Sequence, residues 1–196
     1  MFCASSLKNL EMLPNFASLA TVKTMYIGLL SDTHGVFDEP FREFFSPVDE
    51  IWHAGDFGSL AVAEAISSFR PLKGVSGNCD GYDIRLDYPL YQLFFCDGMK
   101  VLMTHIGGYP GRYDPRARAL IDEHRPDLFV CGHSHILKVV NDRKRNMLVL
   151  NPGAAGYQGF HLVRTALRFR IKDGDITDME VFELDKVRKG TGEGAL

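Results

Sequence analysis

Short apolar runs that end in polar, metal-type side chains recur along this chain. The run from Met25 to Leu30 is followed at once by Asp32, His34 and a glycine. A short apolar run closed by glycine is typical of a buried β-strand that enters a tight turn. Because ligands of open α/β sheets bind beyond the carboxyl ends of the strands, this first strand end is a candidate site.

The first half of the chain alternates predicted strands and helices. Residues 39–45 form a predicted helix whose phenylalanines face inward, and residues 50–53 form a short strand. Residues 59–69 form a second predicted helix, which a serine caps and a following proline ends. A third strand is predicted over residues 72–76. This alternation predicts parallel strands joined by right-handed crossovers.

The second half is dominated by predicted hairpins around one helix. The helix covers residues 115–124, and the Asp-Gly pairs at 97–98 and 173–174 indicate hairpin turns. The predicted strands cover residues 90–96, 100–104, 128–131, 136–140, 147–150, 165–171 and 176–183. We therefore expect an α/β fold in which two β-sheets pack face to face as a sandwich flanked by helices.

Composition narrows the function classes. With 196 residues, 45% hydrophobic and 24% charged, the chain suits one soluble globular domain. A net charge of −3 offers no basic surface to a long nucleic acid. The four cysteines include no CxxC pair, so we expect a reducing, cytoplasmic location. No run is long and apolar enough to span a membrane, and no membrane partner is expected.

The two ends of the chain are expected to lie outside the domain. Residues 1–24 lack the charged start and continuous apolar core of a signal peptide. We expect them to be a disordered leader or a misassigned start, with Met25 as the true first residue; a flexible arm is the alternative. The single domain is expected over residues 25–185, followed by a flexible tail over residues 186–196, which is rich in glycine and charge.

Seven candidate metal ligands stand at or just beyond the predicted strand ends. They are Asp32, His34, Asp56, Asn78, His105, His133 and His135. A bridging carboxylate can hold two divalent ions about 3.5–4 Å apart, as in two-metal hydrolytic sites. Imidazole combined with carboxylate suits manganese, iron, zinc or nickel better than magnesium or calcium. Single fragments of this kind are often turns or caps, so the prediction rests on all of them occurring together.

The motifs resemble those of a known family. They are Asp32-Thr33-His34-Gly35, Gly55-Asp56, Gly77-Asn78-Cys79-Asp80, Thr104-His105, Gly132-His133-Ser134-His135 and Asn151-Pro152-Gly153. This set resembles the calcineurin-like metallophosphoesterases, and among them the small bacterial and archaeal phosphodiesterase branch related to the retromer scaffold subunit. The resemblance covers residues 25–182 and implies a four-layer α/β/β/α metallophosphoesterase fold.

The resemblance also implies roles for the site residues. Asp32, His34 and His135 would hold one ion, Asn78, His105 and His133 would hold the other, and Asp56 would bridge them. Asn78 and His105 would also contact the substrate. A hydroxide activated by two divalent ions would attack phosphorus, so no side chain serves as the nucleophile. Manganese is the first choice of metal, with nickel, iron and zinc as alternatives.

Two departures from the family pattern bear on the substrate. Cys79 stands at the leaving-group position, where many relatives carry histidine, and a thiol is a poor acid at neutral pH. Good leaving groups should therefore be favoured. Asp56 is followed by Phe57-Gly58-Ser59, without the Asp-Arg-Gly continuation of protein phosphatases, so phosphoproteins are disfavoured.

We expect a dinuclear-metal phosphodiesterase that hydrolyses a small phosphodiester. The alternative is a non-catalytic scaffold of the retromer-subunit type, which would not need to retain seven donors. A homodimer or homotetramer is left open. Structural roles are expected for His53, buried and hydrogen-bonded, and for Asp80, which would orient a loop; no role follows from the sequence for His161.

Overall fold

The computed structural model describes residues 24–186. The expected leader and tail therefore lie outside the described residues, apart from Thr24 and Lys186. The helices are α1 (Glu39–Phe44), α2 (Leu60–Phe69), α3 (Tyr82–Asp87) and α4 (Pro115–His124). The strands are β1 (Met25–Leu30), β2 (Glu50–His53), β3 (Leu72–Gly74), β4 (Tyr91–Cys96), β5 (Met99–Thr104), β6 (Gly108–Tyr109), β7 (Arg112–Tyr113), β8 (Leu128–Val130), β9 (Leu137–Asp142), β10 (Met147–Pro152), β11 (Val163–Lys172) and β12 (Asp175–Asp185).

Two five-stranded mixed sheets form the body of the fold. The first has the order β12-β11-β1-β2-β3 and the second the order β4-β5-β8-β10-β9. Strands β1, β2 and β3 run parallel, as do β5, β8 and β10. The outer strands join as antiparallel hairpins. The predicted parallel strands and hairpins are thus confirmed, while the right-handedness of the crossovers stays a prediction.

The sheets pack against each other through a continuous apolar core. Its central side chains include Trp52, Met103 and Phe169, all fully buried. A second apolar cluster covers the outer face of the first sheet and contains residues of α1 and α2. Helix α4 covers the outer face of the second sheet through Ala117 and Ile121. This layering confirms the expected sandwich flanked by helices.

Two short elements differ from the expectation. Helix α3 and the β6–β7 hairpin were not predicted, because α3 buries only Ile84 and each strand of the hairpin has two residues. Neither is long enough to produce a hydrophobic period. Strand β3 stops at Gly74 rather than at residue 76.

Within residues 24–186, no helix has both the length and the apolarity that crossing a membrane requires.

The parallel strands of the two sheets end at neighbouring edges. Asp32 N, just after β1, donates to Gly55 O at 2.9 Å, and Gly132 N, just after β8, donates to His105 O at 2.9 Å. The two edges are joined where His133 N donates to Asp32 Oδ2 at 3.0 Å. The loops that follow β1, β2, β5 and β8 therefore meet at one place.

Candidate metal centre

Four of the predicted ligands form a compact group of carboxylates and imidazoles. Asp32 Oδ1 lies 3.1 Å from His135 Nε2, and the Nε2 atoms of His34 and His135 are 3.4 Å apart. His34 Nε2 also lies 3.9 Å from Asp32 Oδ1 and 3.9 Å from Asp56 Oδ2. The Nε2 atoms of both histidines thus point at the buried carboxylate of Asp32, and His34 also faces Asp56.

The remaining predicted ligands, His105, Asn78 and His133, lie between Asp56 and the protein surface. His105 Nε2 lies 3.3 Å from Asp56 Oδ2 and 3.1 Å from Asn78 Oδ1. The ring of His133 packs edge-on against His105, with ring centroids 5.2 Å apart. Asn78 and His133 are exposed, whereas Asp56 and His105 are buried. The structure therefore brings all seven predicted side chains into one continuous cluster that opens to the surface.

Three overlapping sets of ligand atoms lie close enough to share an ion. They are Asp32 with His34 and His135, Asp32 with Asp56 and His105, and His34 with Asp56 and Cys79; within each set all ligand atoms lie within 4.8 Å of one another. The first set is the trio predicted for one ion. Both carboxylates take part in two sets, so each is placed between neighbouring ligand groups. The partition of ligands between two ions stays a prediction.

Backbone conformation singles out the same residues. Five of the predicted ligands have positive φ: Asp32 at 54°, His34 at 44°, Asp56 at 58°, His133 at 67° and His135 at 56°. The left-handed region is uncommon for residues with a Cβ and costs free energy. Such conformations persist where the surrounding structure over-determines them, and they cluster at functional sites. The concentration of this strain on the candidate ligands supports a functional centre.

Buried polar side chains hold these turns in place. Asp80 accepts hydrogen bonds from Asp56 N at 2.9 Å, Gly77 N at 2.7 Å and Gly58 N at 3.0 Å, which confirms its expected loop-orienting role. Asn151 Nδ2 donates to Gly132 O at 2.7 Å at the start of the loop that carries His133 and His135. The loops that carry Asp56, Asn78, His133 and His135 are therefore held through their backbones.

His53 supports the first two loops together. Its Nε2 lies 2.9 Å from Thr33 Oγ1, its Nδ1 accepts from Gly55 N at 3.1 Å, and its ring stacks on Phe57. Burial lowers the pKa of His53 to about 3, so the ring is neutral at physiological pH. This confirms the buried, hydrogen-bonded role expected of it.

The electrostatics of the cluster match a site for cations. Burial by itself would raise the pKa of Asp56, but the hydrogen bond and charge of His105 outweigh it and hold the pKa well below its usual range. The pKa of Asp32 is also lowered: burial opposes its charge, and His135 and His105 overcome that effect. Burial would lower the pKa of His105, yet Asp56 and Asp32 raise it. Both carboxylates are thus ionised at neutral pH and face imidazoles.

The surroundings of Asp32 Oδ1 show whether these residues fit a metal ion. Asp32 is fully buried, and its Oδ1 receives no hydrogen bond of acceptable geometry from any residue in the described range 24–186. An ionised buried oxygen without a donor is costly unless a cation completes it. Carboxylate, imidazole and amide groups supply the donor atoms that divalent transition metals accept. The residues therefore fit the metal that the motifs imply.

Comparison with known proteins agrees with this geometry. The sequence profile of the calcineurin-like phosphoesterase superfamily domain matches residues 25–174, which is most of the chain. The chain belongs to this superfamily. Two curated relatives are probable metallophosphoesterases. The one from Methanothermobacter thermautotrophicus is 30% identical over 66% of this chain and 77% of the relative, and the one from Methanocaldococcus jannaschii is 30% identical over 67% and 68%.

Solved structures share the phosphoesterase fold. Vacuolar protein sorting 29 (Vps29) from Cryptosporidium parvum is 20% identical, with a TM-score of 0.63 over 83% of this chain and 99% of that chain. A predicted phosphoesterase from Streptococcus pneumoniae is 21% identical, with a TM-score of 0.58 over 83% and 99%. Vps29 from Entamoeba histolytica in complex with Zn²⁺ is 17% identical, with a TM-score of 0.57 over 81% and 99%. At these identities the likeness concerns the fold alone.

Cys79 lies at the edge of this phosphoesterase site. Its backbone N–H donates to Asp56 Oδ1 at 2.8 Å, and Asn78 Nδ2 donates to its Sγ at 3.3 Å. Partial burial raises the pKa of the thiol, and the carboxylate of Asp56 raises it further. The thiol is therefore protonated at neutral pH, exposed, and next to two predicted ligands.

His161 is the site-adjacent residue that sequence reasoning missed. Its ring lies edge-on to the ring of His135, with centroids 5.2 Å apart, and its Nε2 donates to Gly156 O at 3.0 Å. It lies well beyond the last family motif, in the loop between β10 and β11. No pattern in the sequence connects this loop with the loop after β8; the contact arises only because both loops reach the same sheet edge.

Proposed function

We propose that this metallophosphoesterase is a phosphodiesterase that hydrolyses a small phosphodiester with the help of two divalent metal ions. The observation that carries the proposal is the buried, ionised Asp32 carboxylate, whose Oδ1 lacks a hydrogen bond from residues 24–186 and lies beside the imidazole of His135. Neighbouring Asp56 supplies a second buried carboxylate within reach of His34 and His105. A pair of cations would compensate both charges.

The residues that would hold the ions divide into two groups around Asp56. Asp32, His34 and His135 would hold one ion, and Asn78, His105 and His133 would hold the other. When bound, the two ions would activate the attacking water, orient the ester and neutralise the charge that develops on its oxygens. Manganese is our first choice, with nickel, iron and zinc as alternatives.

The chain's own groups prepare the site for this reaction. His105 Nδ1 donates to Ala54 O at 2.7 Å, which fixes the ring so that Nε2 faces Asp56 and Asn78. The exposed side of Asn78 and His133 leaves the substrate an approach from solvent. The protonated thiol of Cys79 lies beside Asn78, but its raised pKa makes it a weak proton donor. Esters with acidic leaving groups, such as aryl phosphodiesters, should therefore react fastest.

Turnover by reconstituted protein tests the proposal. Protein stripped of metal would receive Mn²⁺ and then an aryl phosphodiester or the matching aryl phosphomonoester. We expect Mn²⁺-dependent hydrolysis with preference for the diester, and loss of at least about 100-fold in kcat/KM for Asp56→Asn with a smaller effect on folding. Asp87→Asn, an exposed change on α3, is the matched control. Preference for the monoester would refute the phosphodiesterase assignment.

A non-catalytic scaffold is the second candidate function. The observation that favours it is the structural likeness to Vps29. Metal binding alone does not separate the two, because a Vps29 structure is itself described in complex with Zn²⁺. Turnover does separate them: protein that binds metal but hydrolyses neither ester with Mn²⁺, Ni²⁺, Fe²⁺ or Zn²⁺ would favour the scaffold.

A further inference from the structure

The N–H proton of the His135 ring needs a hydrogen-bond acceptor. Its Nε2 faces Asp32 Oδ1 at 3.1 Å and His34 Nε2 at 3.4 Å, the side on which an ion would be held. An imidazole that coordinates through Nε2 carries its proton on Nδ1. Metal-ligating histidines usually donate this second N–H to a carboxylate, a carbonyl or water, which fixes the ring orientation.

The loop between β10 and β11 brings His161 to that side of the ring. Gly159 in this loop has a φ of +106°, and a Cβ added there would overlap Nδ1 of His135 and lie 3.3 Å from Nδ1 of His161. The two Nδ1 atoms therefore border the same small space. The two rings meet edge to face, at 81° and 5.2 Å between centroids.

Hydrogen bonding assigns the tautomer of His161. Its Nε2 lies 3.0 Å from the carbonyl oxygen of Gly156, which can only accept, so the proton is on Nε2. In the neutral ring Nδ1 is then an acceptor. This Nδ1 is buried and has no hydrogen-bond partner among the residues that the structure describes. An unused buried acceptor thus lies where His135 presents a donor.

We infer that His161 is a positioning residue for His135. Its Nδ1 accepts the Nδ1 proton of His135 through one bridging water molecule, and so keeps the Nε2 lone pair of His135 directed at the ion that Asp32 and His34 would share. This inference rests on the proposed metal centre. Loss of such a partner typically weakens metal affinity 10- to 100-fold.

Two substitutions separate this role from a purely structural one. His161→Asn keeps an acceptor oxygen close to the place of Nδ1 but loses the donor to Gly156 O. His161→Gln keeps an amide donor close to the place of Nε2 but loses the acceptor facing His135. His124→Asn is the matched control, because His124 lies on α4 and stacks on Tyr91, away from the cluster.

The measurement is Mn²⁺ affinity by calorimetric titration of metal-stripped protein, with Co²⁺ absorption as a spectroscopic readout of the coordination. We expect His161→Asn and His124→Asn to bind like the wild type. His161→Gln should bind the ion that Asp32, His34 and His135 would hold about 10- to 100-fold less tightly, with an altered Co²⁺ spectrum. Equal affinities in the two His161 variants, or a greater loss in His161→Asn, would overturn the inference. Wild-type protein that binds no metal would instead overturn the proposed function.

Discussion

Asp80 accepts three backbone hydrogen bonds from the turns that carry candidate ligands. Its replacement should therefore lower the stability of the protein. Its carboxylate is 4% exposed. Oδ2 accepts from Asp56 N at 2.9 Å and from Gly77 N at 2.7 Å, and Oδ1 accepts from Gly58 N at 3.0 Å. These bonds define the turn in which Asp56 adopts a φ of 58°. Asp80→Asn keeps the size of the side chain but replaces one acceptor oxygen by a donor.

The expected cost follows from counting these bonds. With the amide oxygen in the place of Oδ2, two hydrogen bonds remain, and the amide nitrogen faces Gly58 N. A hydrogen bond to a charged group contributes about 1.5–3 kcal/mol, and a neutral one about 1 kcal/mol. One bond is lost and two become neutral, so the free energy of unfolding should fall by about 2.5–7 kcal/mol. For a domain of this size the melting temperature should fall by about 5–28 °C.

Urea unfolding of metal-stripped protein measures this cost without a contribution from bound ions. Asp80→Asn should lower the denaturation midpoint at an unchanged m-value. The exposed Asp87→Asn variant should stay within about 0.5 kcal/mol of the wild type. If Asp80→Asn costs no more than Asp87→Asn, the three backbone bonds do not stabilise the turn and the reasoning is refuted. The same variant should also bind Mn²⁺ more weakly, because the turn that carries Asp56 loses the hydrogen bond from Gly58 N and its two remaining bonds become weaker.

Three further predictions address the turn, the pH dependence and the leaving group. In Gly77→Ala the new methyl group would overlap the Asp56 carboxylate, so Mn²⁺ affinity should fall at least about 10-fold; Gly81→Ala, with open space around it, should bind normally. Because the pKa of His53 is about 3 when folded and about 6.5 when unfolded, the unfolded state binds more protons between these values. As the pH falls from about 6 to about 4, the free energy of unfolding of the metal-stripped wild type should therefore fall by about 1.4 kcal/mol per pH unit relative to that of His53→Phe. Urea unfolding at each pH measures this difference, and a difference that does not change with pH would contradict the prediction. Cys79→His should raise kcat/KM for alkyl phosphodiesters more than for aryl ones, and an unchanged ratio would show that this position has no acid role.

The hydrophobic pattern was sufficient to predict most of the sandwich. Runs such as Met25–Leu30 and Leu128–Val130 are buried throughout or nearly so, and their ends coincide with the loops that carry ligand-type residues. Two of the hairpins were recognisable from their Asp-Gly turns, and α2 from apolar positions at helical spacing. The elements that escaped prediction, α3 and β6–β7, are too short to carry a periodic signal. Local pattern thus placed the strand ends, and with them the candidate ligands.

The geometry of the site was less accessible from sequence because it depends on contacts between distant loops. The family resemblance implied that Asp32 and His135 belong together, but it could not show the left-handed backbone of both residues. The packing of His161 against His135 joins two loops that the motifs do not relate. The three backbone hydrogen bonds of Asp80 are likewise a property of the folded turn. Sequence reasoning therefore identified the candidate ligands, while the structure showed the backbone conformations and hydrogen bonds that hold them in place.

The strained turns and the buried charges of this protein have the same explanation, which is the need for a cation beside two buried carboxylates. Asp32 and Asp56 are buried in left-handed turns that residues with a Cβ seldom adopt, and both remain ionised. Without a cation, the raised pKa of His105 lets a proton balance part of this charge. A protonated imidazole cannot serve as a ligand, so protonation of His105 would compete with metal binding. Because Asp80, Asn151 and His53 hold loops that carry candidate ligands through backbone hydrogen bonds, the fold maintains a cluster of buried carboxylates that divalent cations would stabilise.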